Sequence, residues 1–265
     1  PQGGRWTVTL DLHRGQGTTD TGPFDIVANG LPEGVRLVSP RVPASTSRWP
    51  VQLVADAAAK PGAKIITFAA KSADPAVVLA SSVQQAVPFV SHSGGDAWRV
   101  LRVDRAAMAV TDPAPIAIDL VPPTAALVRG GELFIPVKLT RQPGYDDPVE
   151  WQADFAPQGV GLPPKDVISS GAAEAVLQIT ADAKAPLGKG PLYVMATTLG
   201  GSDYLGPGRI RVSSEIIEIE VTEPFMELAS EPVSVRRGGQ ATVSFKATPK
   251  SGFEGEAEAN LLGLP

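Results

Sequence analysis

The stretch 92–96, "HSGGD", puts a histidine, a serine and an aspartate close together. These are the residue types of an acyl-transfer triad, in which an imidazole takes the serine proton and a carboxylate orients the imidazole. The three groups must converge from separate elements, and neighbours within five residues do not. No G-x-S-x-G turn presents Ser93 as a nucleophile. The other histidine, His13, falls opposite Thr140 in an internal repeat described below, so the repeat does not require it. Both histidines are expected to be structural or solvated. The chain has no cysteine, which removes a thiolate nucleophile, a thiolate metal centre and a disulfide framework.

Carboxylates offer hard oxygen ligands. Asp146 and Asp147 share a turn, Glu254 stands at the matching turn further on, and Asp20 and Asp25 flank the corresponding turn near the start. Calcium takes six to eight oxygens from such loops and can stiffen joints between tandem domains. Asp146 and Asp147 are therefore the calcium candidates. No dense D-x-D-x-D pattern supports them, and solvated turn residues are the expectation. The segment 214–224, "SEIIEIEVTEP", holds four glutamates, which alternation assigns to the outer face of a strand. Any two carboxylates could meet in space as a glycosidase pair, but repeated spacer domains are a poor setting for one. Arg129 and Arg237 each precede a Gly-Gly pair. Single copies at turns in an acidic chain argue against RNA binding. "GGSDYLGPGR" at 200–209 lacks the strand-to-helix context of a phosphate loop. Trp6, Trp49, Trp98 and Trp151 do not recur at matching positions. Core or joint packing is expected of them, with a sugar-stacking surface as the alternative.

The chain that must position these residues has 265 of them, 43% hydrophobic, with 27 glycines and 26 prolines. That is rich enough for packed cores, and its Gly and Pro content favours many turns and short strands. A net charge of −5 without blocks of one sign gives no basic face for nucleic acid. No apolar run approaches the ~20 residues that span a bilayer.

An internal repeat sets the organisation. "LVRGGELFIPVKLTRQPGYDDPVEWQADFAP" at 127–157 lies above "VRRGGQATVSFKATPKSGFEGEAEANLLGLP" at 235–265 at a constant offset of 238 − 130 = 108. Gly130 and Gly131 meet Gly238 and Gly239, Arg129 meets Arg237, and Tyr145 meets Phe253. A looser first copy begins with "GGRWTVTLDLHR" at 3–14, offset 127, and continues with "VADAAAKPGAKIITFAAKS" at 54–72, offset 126. The joints recur as "VTDP" at 110–113 and "VTEP" at 221–224. The expected division is 1–113, a domain lacking its first strand; 114–223, a complete domain; and 224–265, the start of a third. On this reading the chain is a section of a longer one, with any export signal upstream.

The second copy reads as about seven short strands, clearest at 116–121, 133–139, 149–155, 174–180, 191–197 and 210–221. Strict alternation sends Ile217, Ile219 and Val221 inward and Glu218 and Glu220 to water. With no helical stretch, the expected fold is all-β, as tandem immunoglobulin-like β-sandwiches. Gly130-Gly131, like Gly238-Gly239, allows positive φ at the turn into the second strand. Leu31 is expected to plug the end of a core. Pro32 is expected to end strand pairing. Trp151 is expected mid-strand in a core, and Tyr193 is expected to close a corner with its hydroxyl.

The "RGG", "G-F-x-G" and "GLPxGV" landmarks, with "VQLVADAAAKPGAKIITFAAKS", resemble the Ig-like repeats of large exported planctomycete-type bacterial proteins. Such repeats often sit beside bacterial pre-peptidase C-terminal domains. The second copy departs from the pattern with "FAPQGV". The resemblance implies an extracellular, cell-surface or periplasmic location and a non-catalytic role. The expected function is a semi-rigid spacer or assembly segment, a rod built on short joints at Pro113 and Pro224. The alternative is a carbohydrate- or protein-binding accessory module of a secreted hydrolase. Expected partners are neighbouring domains of the longer chain, with homotypic, cell-surface or polysaccharide contacts, no nucleic acid and no membrane span in this segment. No cofactor is expected beyond the calcium candidates.

Overall fold

A computed structural model describes residues 1–15, 22–44, 46–78, 81, 84–91, 97–199 and 208–250. The described residues form strands and turns, without a helix. The N-terminal strands are β1 (Arg5–Asp11), β2 (Phe24–Asn29), β3 (Val35–Val38), β4 (Arg48–Ala55), β5 (Gly62–Ser72), β6 (Gln85–Ser91), β7 (Ala97–Val103) and β8 (Ala106–Val110). They build one sheet in the order β1-β4-β3 and another in the order β2-β5-β8, with β6 and β7 as a separate hairpin. Between the sheets pack Phe24, Ile26, Val51, Leu53, Ile66 and Phe68.

The central strands are β9 (Ile116–Leu120), β10 (Leu127–Val128), β11 (Glu132–Arg141), β12 (Val149–Phe155), β13 (Val160–Gly161), β14 (Asp166–Ile168), β15 (Glu174–Ala181), β16 (Gly188–Thr198), β17 (Arg211–Ser213) and β18 (Ile217–Thr222). One sheet runs β13-β15-β11-β9 and the other β10-β18-β16-β12-β14. The opening segment is divided between them: β9 pairs antiparallel with β11, and β10 pairs parallel with β18. Two facing sheets with a first strand shared in this way make an immunoglobulin-like β-sandwich. Ile118, Ile135, Val137, Trp151, Leu177 and Ile219 lie in its core. Further on, β19 (Met226–Ser230) pairs with β20 (Phe245–Pro249). The third strand expected of that part falls outside the described residues.

Alternation explains the central strands. In β18, Ile217, Ile219 and Val221 are buried while Glu218 and Glu220 are exposed. The expected single strand at 210–221 is instead β17 and β18. The cause is β16, whose residues 188–192 pair with β18 and whose residues 195–197 pair with β17. Ser214 makes the step, giving its amide to Val194 O and accepting the Val194 amide on its hydroxyl. The hairpin β6-β7 and the short strands β13 and β14 were not anticipated.

The same hydrogen bonds recur in both sandwiches. Gly4 N donates to Pro1 O as Gly131 N does to Val128 O, and Gln2 N donates to Thr111 O as Arg129 N does to Thr222 O. Asp56 N donates to Gly34 O as Asp182 N does to Gly159 O. Gly130 sits at φ +71° and Gly238 at +78°, with open space where a Cβ would lie. Gly239, like Gly131, donates its amide three residues back. Gly159 has φ +79°, and a Cβ there would stand 2.8 Å from Ala185. Gly130→Asn is therefore expected to be nearly neutral, because asparagine tolerates this region. Gly159→Asn, at nearly the same φ, is expected to cost about 1–3 kcal/mol because its Cβ would collide with Ala185. Urea midpoints of the two variants check the contrast; equal midpoints would remove it.

Candidate functional site

Among the described residues, the chemistry-bearing side chains do not converge on a catalytic arrangement. His13 is exposed beyond the end of β1. Asp20, His92, Ser93, Asp96 and Glu254 lie outside the described residues. Asp146 and Asp147 are both exposed, and Asp146 accepts the Gly171 amide at 2.8 Å, as a turn-capping carboxylate does. Asp25 forms a two-pronged pair with Arg41, at 3.0 and 3.2 Å. Among the described residues no group of three or more His, Asp or Glu side chains gathers as a metal site. The glutamates of 214–224 take separate partners: Glu215 lies by Arg5, Glu218 by Lys189 and Glu223 by Arg129. Arg129 also donates to Ala185 O at 2.7 Å, so this arginine clamps a turn to the strand end. Leu31 packs against the N-terminal core, and Pro32 is buried with its carbonyl accepting Val35 N.

The residues that do converge form a seam between the two sandwiches. In β16, Leu192, Val194 and Ala196 enter the central core. Tyr193, Met195 and Thr197 point the opposite way and are nonetheless buried. Their side of the sheet faces the outer side of β1 and β4. Register fixes which residues meet there, because Thr7 stands opposite Gln52 and Thr9 opposite Pro50. Thr7 Oγ1 donates to Ser213 Oγ at 2.9 Å. Gln52 Nε2 donates to Thr7 Oγ1 at 2.8 Å and to Ser214 O at 2.7 Å. Gln52 is 2% exposed and Ser214 0%, so this network is dry, and in a low dielectric each bond is costly to lose. Thr9 Oγ1 meets the Tyr193 hydroxyl at 3.1 Å, and that hydroxyl donates to Asp154 at 3.2 Å. Trp49 meets Phe155 edge-on at 6.4 Å. At the rim, Arg5 reaches Asp119 at 3.3 Å; half-exposed pairs like this contribute little.

Tyr193 thus lies mid-strand and bridges two sandwiches; it does not turn a corner. Burial, chiefly, pushes its phenol up to about 12, the Asp154 carboxylate adds to this, and the Thr9 hydrogen bond opposes it. A raised folded value means the contribution to stability is full below the ordinary tyrosine range near 10 and fades as pH climbs toward 12. Alkaline absorbance titration should show a latest phenol step that Tyr193→Phe removes, beyond that of Tyr145, which burial also pushes up. A variant with the same late step would assign it elsewhere.

Polar seam residues read as solvent-facing in the sequence. The signal that could have found them is in "PLYVMATT" and "RWPVQLVA": both runs lose the period of two, as strands covered on both faces do. The hairpin β6-β7, by contrast, carries an exposed apolar feature, with Val87, Val90, Val100 and Leu101 all open to solvent.

No family model matches the chain, and no curated protein matches it. Among solved structures, it is similar to the D0-D1 domain of intimin, at 13% identity over 82% of this chain and 90% of that one, TM-score 0.26. It is similar also to a DUF3823 family protein from Bacteroides uniformis ATCC 8492, at 11% identity over 77% and 90%, TM-score 0.27. The D00-D0 domain of intimin matches at 10% identity over 81% and 92%, TM-score 0.25. The fold class stands on the strand order itself.

Proposed function

We propose that the chain is a non-catalytic structural and interaction module of a larger exported bacterial protein, lying at the cell surface, outside the cell or in the periplasm. It is a section of a tandem Ig-like array, divided at 113/114 and 223/224. The observation that carries this reading is the seam. A dry hydrogen-bond network at the meeting of two sheets serves to fix the mutual orientation of two bodies. This changes the mechanical picture from a rod with short proline joints to a paired unit clamped face to face. The hydrogen bonds shared by the two sandwiches support the tandem organisation. The apolar hairpin β6-β7 supports an interaction role, since exposed apolar patches mark contact surfaces.

A peptide map of the source protein, with binding of the chain to a panel of polysaccharides, tests the reading. Further sandwiches on both sides and no glycan retained are expected. Saturable glycan binding, or an adjoining catalytic domain, would replace it with an accessory module of a secreted hydrolase.

A further inference from the structure

The first sandwich carries an insertion that the central one lacks. Strands β5 and β16 align at an offset of 126, and the joints at 110 and 221 at an offset of 111, so the first sandwich has 15 more residues (126 − 111) between strand and joint. The hairpin β6-β7 stands in this longer connection. A two-stranded hairpin is marginal alone in water and needs further strands or a packed face. Among the described residues its sheet stops at two strands. Val100 and Leu101 are 47% and 55% exposed, with Val87 and Val90 also open.

The two edges of the hairpin differ. Pro88 sits within β6, and the register shifts beside it, so that edge offers a broken ladder. Strand β7 contains no proline. Pro88 stands opposite Val100. Opposed residues of an antiparallel pair alternate between exchanging both hydrogen bonds and exchanging neither. Pro88 lacks an N–H and fits the second kind. Val100 therefore turns its N–H and C=O away from β6. So does Arg102, two residues on and opposite Ala86.

Charge narrows the partner. Arg99 and Arg102 are the charged residues of the two strands. Arg102 already donates to Gln84 at 3.3 Å, and the neighbouring Arg105 pairs with Asp104 at 3.1 Å, so neither calls for an acidic partner. A second β7, antiparallel and centred on Leu101, sets Arg99 against Val103 and Arg102 against Val100, with no two arginines opposed. In that register Val100 and Arg102 of each copy spend their outward groups on Arg102 and Val100 of the other. The two Leu101 side chains meet on the dyad, each in line with the Val87 of its own hairpin.

We propose that β7 is a self-recognition edge: two copies of this chain pair antiparallel through β7, centred on Leu101, and form a four-stranded sheet in the order β6-β7-β7-β6. Pro88 lies on both outer edges and stops further addition, so the assembly closes as a two-fold dimer. Main-chain hydrogen bonds supply the affinity, as in strand addition generally. The proposal rests on reading the hairpin as a contact surface, and it leaves the seam untouched.

Sedimentation of the 265-residue chain should show a mass that rises with concentration to twice that of one chain and no further. Leu101→Lys brings two ammonium groups together on the dyad. It should give a folded monomer whose melting temperature in dilute solution is unchanged, because the side chain is exposed. The chain has no native cysteine, so Leu101→Cys reads the register. Facing residues of this kind stand about 4.5 Å apart at Cα, within disulfide reach, and mild oxidation should cross-link them readily. Lys138→Cys, exposed on β11, should not cross-link. A monomer at every concentration, growth past the dimer, a dimer that survives Leu101→Lys, or Leu101→Cys cross-linking no faster than Lys138→Cys would each overturn the proposal. Binding of poly-glutamate to the hairpin of a monomeric chain would overturn it in favour of an acidic partner. None of these results touches the non-catalytic tandem module, which fails instead on glycan binding or an adjoining catalytic domain.

Discussion

Trp151→Ala is expected to cost about 3–5 kcal/mol, the range for deleting a buried aromatic. Trp151 is 3% exposed in the middle of β12, within the core that holds Ile135, Leu177 and Ile219. Its neighbours come from both sheets, so the space it leaves cannot close by moving one strand. For a body of this size the loss corresponds to a fall in melting temperature on the order of ten degrees. The indole N–H has no acceptor in the core. Trp151→Phe therefore discards no hydrogen bond and should cost clearly less than the alanine variant. Thermal melts of the two variants check the order. An unchanged melting temperature for Trp151→Ala would mean that the core does not rest on this ring.

The second large effect is at Gln52. Gln52→Glu keeps the shape and replaces a donor amide with a carboxylate aimed at Ser214 O. An unpaired buried charge costs several kcal/mol or takes up a proton instead. The new carboxyl should therefore have a raised value in the folded state. The stability deficit should be small in acid and should grow as pH rises from about 4, the ordinary glutamate range, toward neutrality. Gln52→Leu removes the donors without adding charge. It should cost about 1–3 kcal/mol, from the Ser214 carbonyl left without the Gln52 donor and the Thr7 hydroxyl that keeps only its bond to Ser213, with little pH dependence. Urea denaturation at pH 4 and pH 7 separates the two. Identical pH profiles would show that position 52 is open to water.

How much of this was legible in the sequence depends on which face of each strand is asked about. The inward faces were readable because alternation encodes them: Ile217, Ile219 and Val221 in β18, and Val149 and Trp151 in β12, are buried where their period places them. Turns were readable where the backbone takes positive φ, as at Gly130 and Gly238. The seam was not readable. Thr7, Gln52 and Ser213 are polar, and a polar residue on an outward face looks the same whether it meets water or another sheet. Only the loss of period in β4 and β16 distinguishes the cases. The division of the first strand into β9 and β10 was hidden for another reason. The prolines at 122 and 123 end β9, but which sheet the chain joins afterwards is decided by the free edge of β18.

The measurement that tests the account most directly is the distance distribution between spin labels on the two sandwiches. A chain without native cysteine allows Lys71→Cys and Lys138→Cys to be the only labelled sites. Both lysines are exposed, on β5 and β11 respectively. A single narrow distance that broadens in the Gln52→Glu variant is the predicted result, because the seam holds the sandwiches in one orientation. A broad distribution in the unaltered seam would contradict the account and return the chain to two bodies on a loose joint.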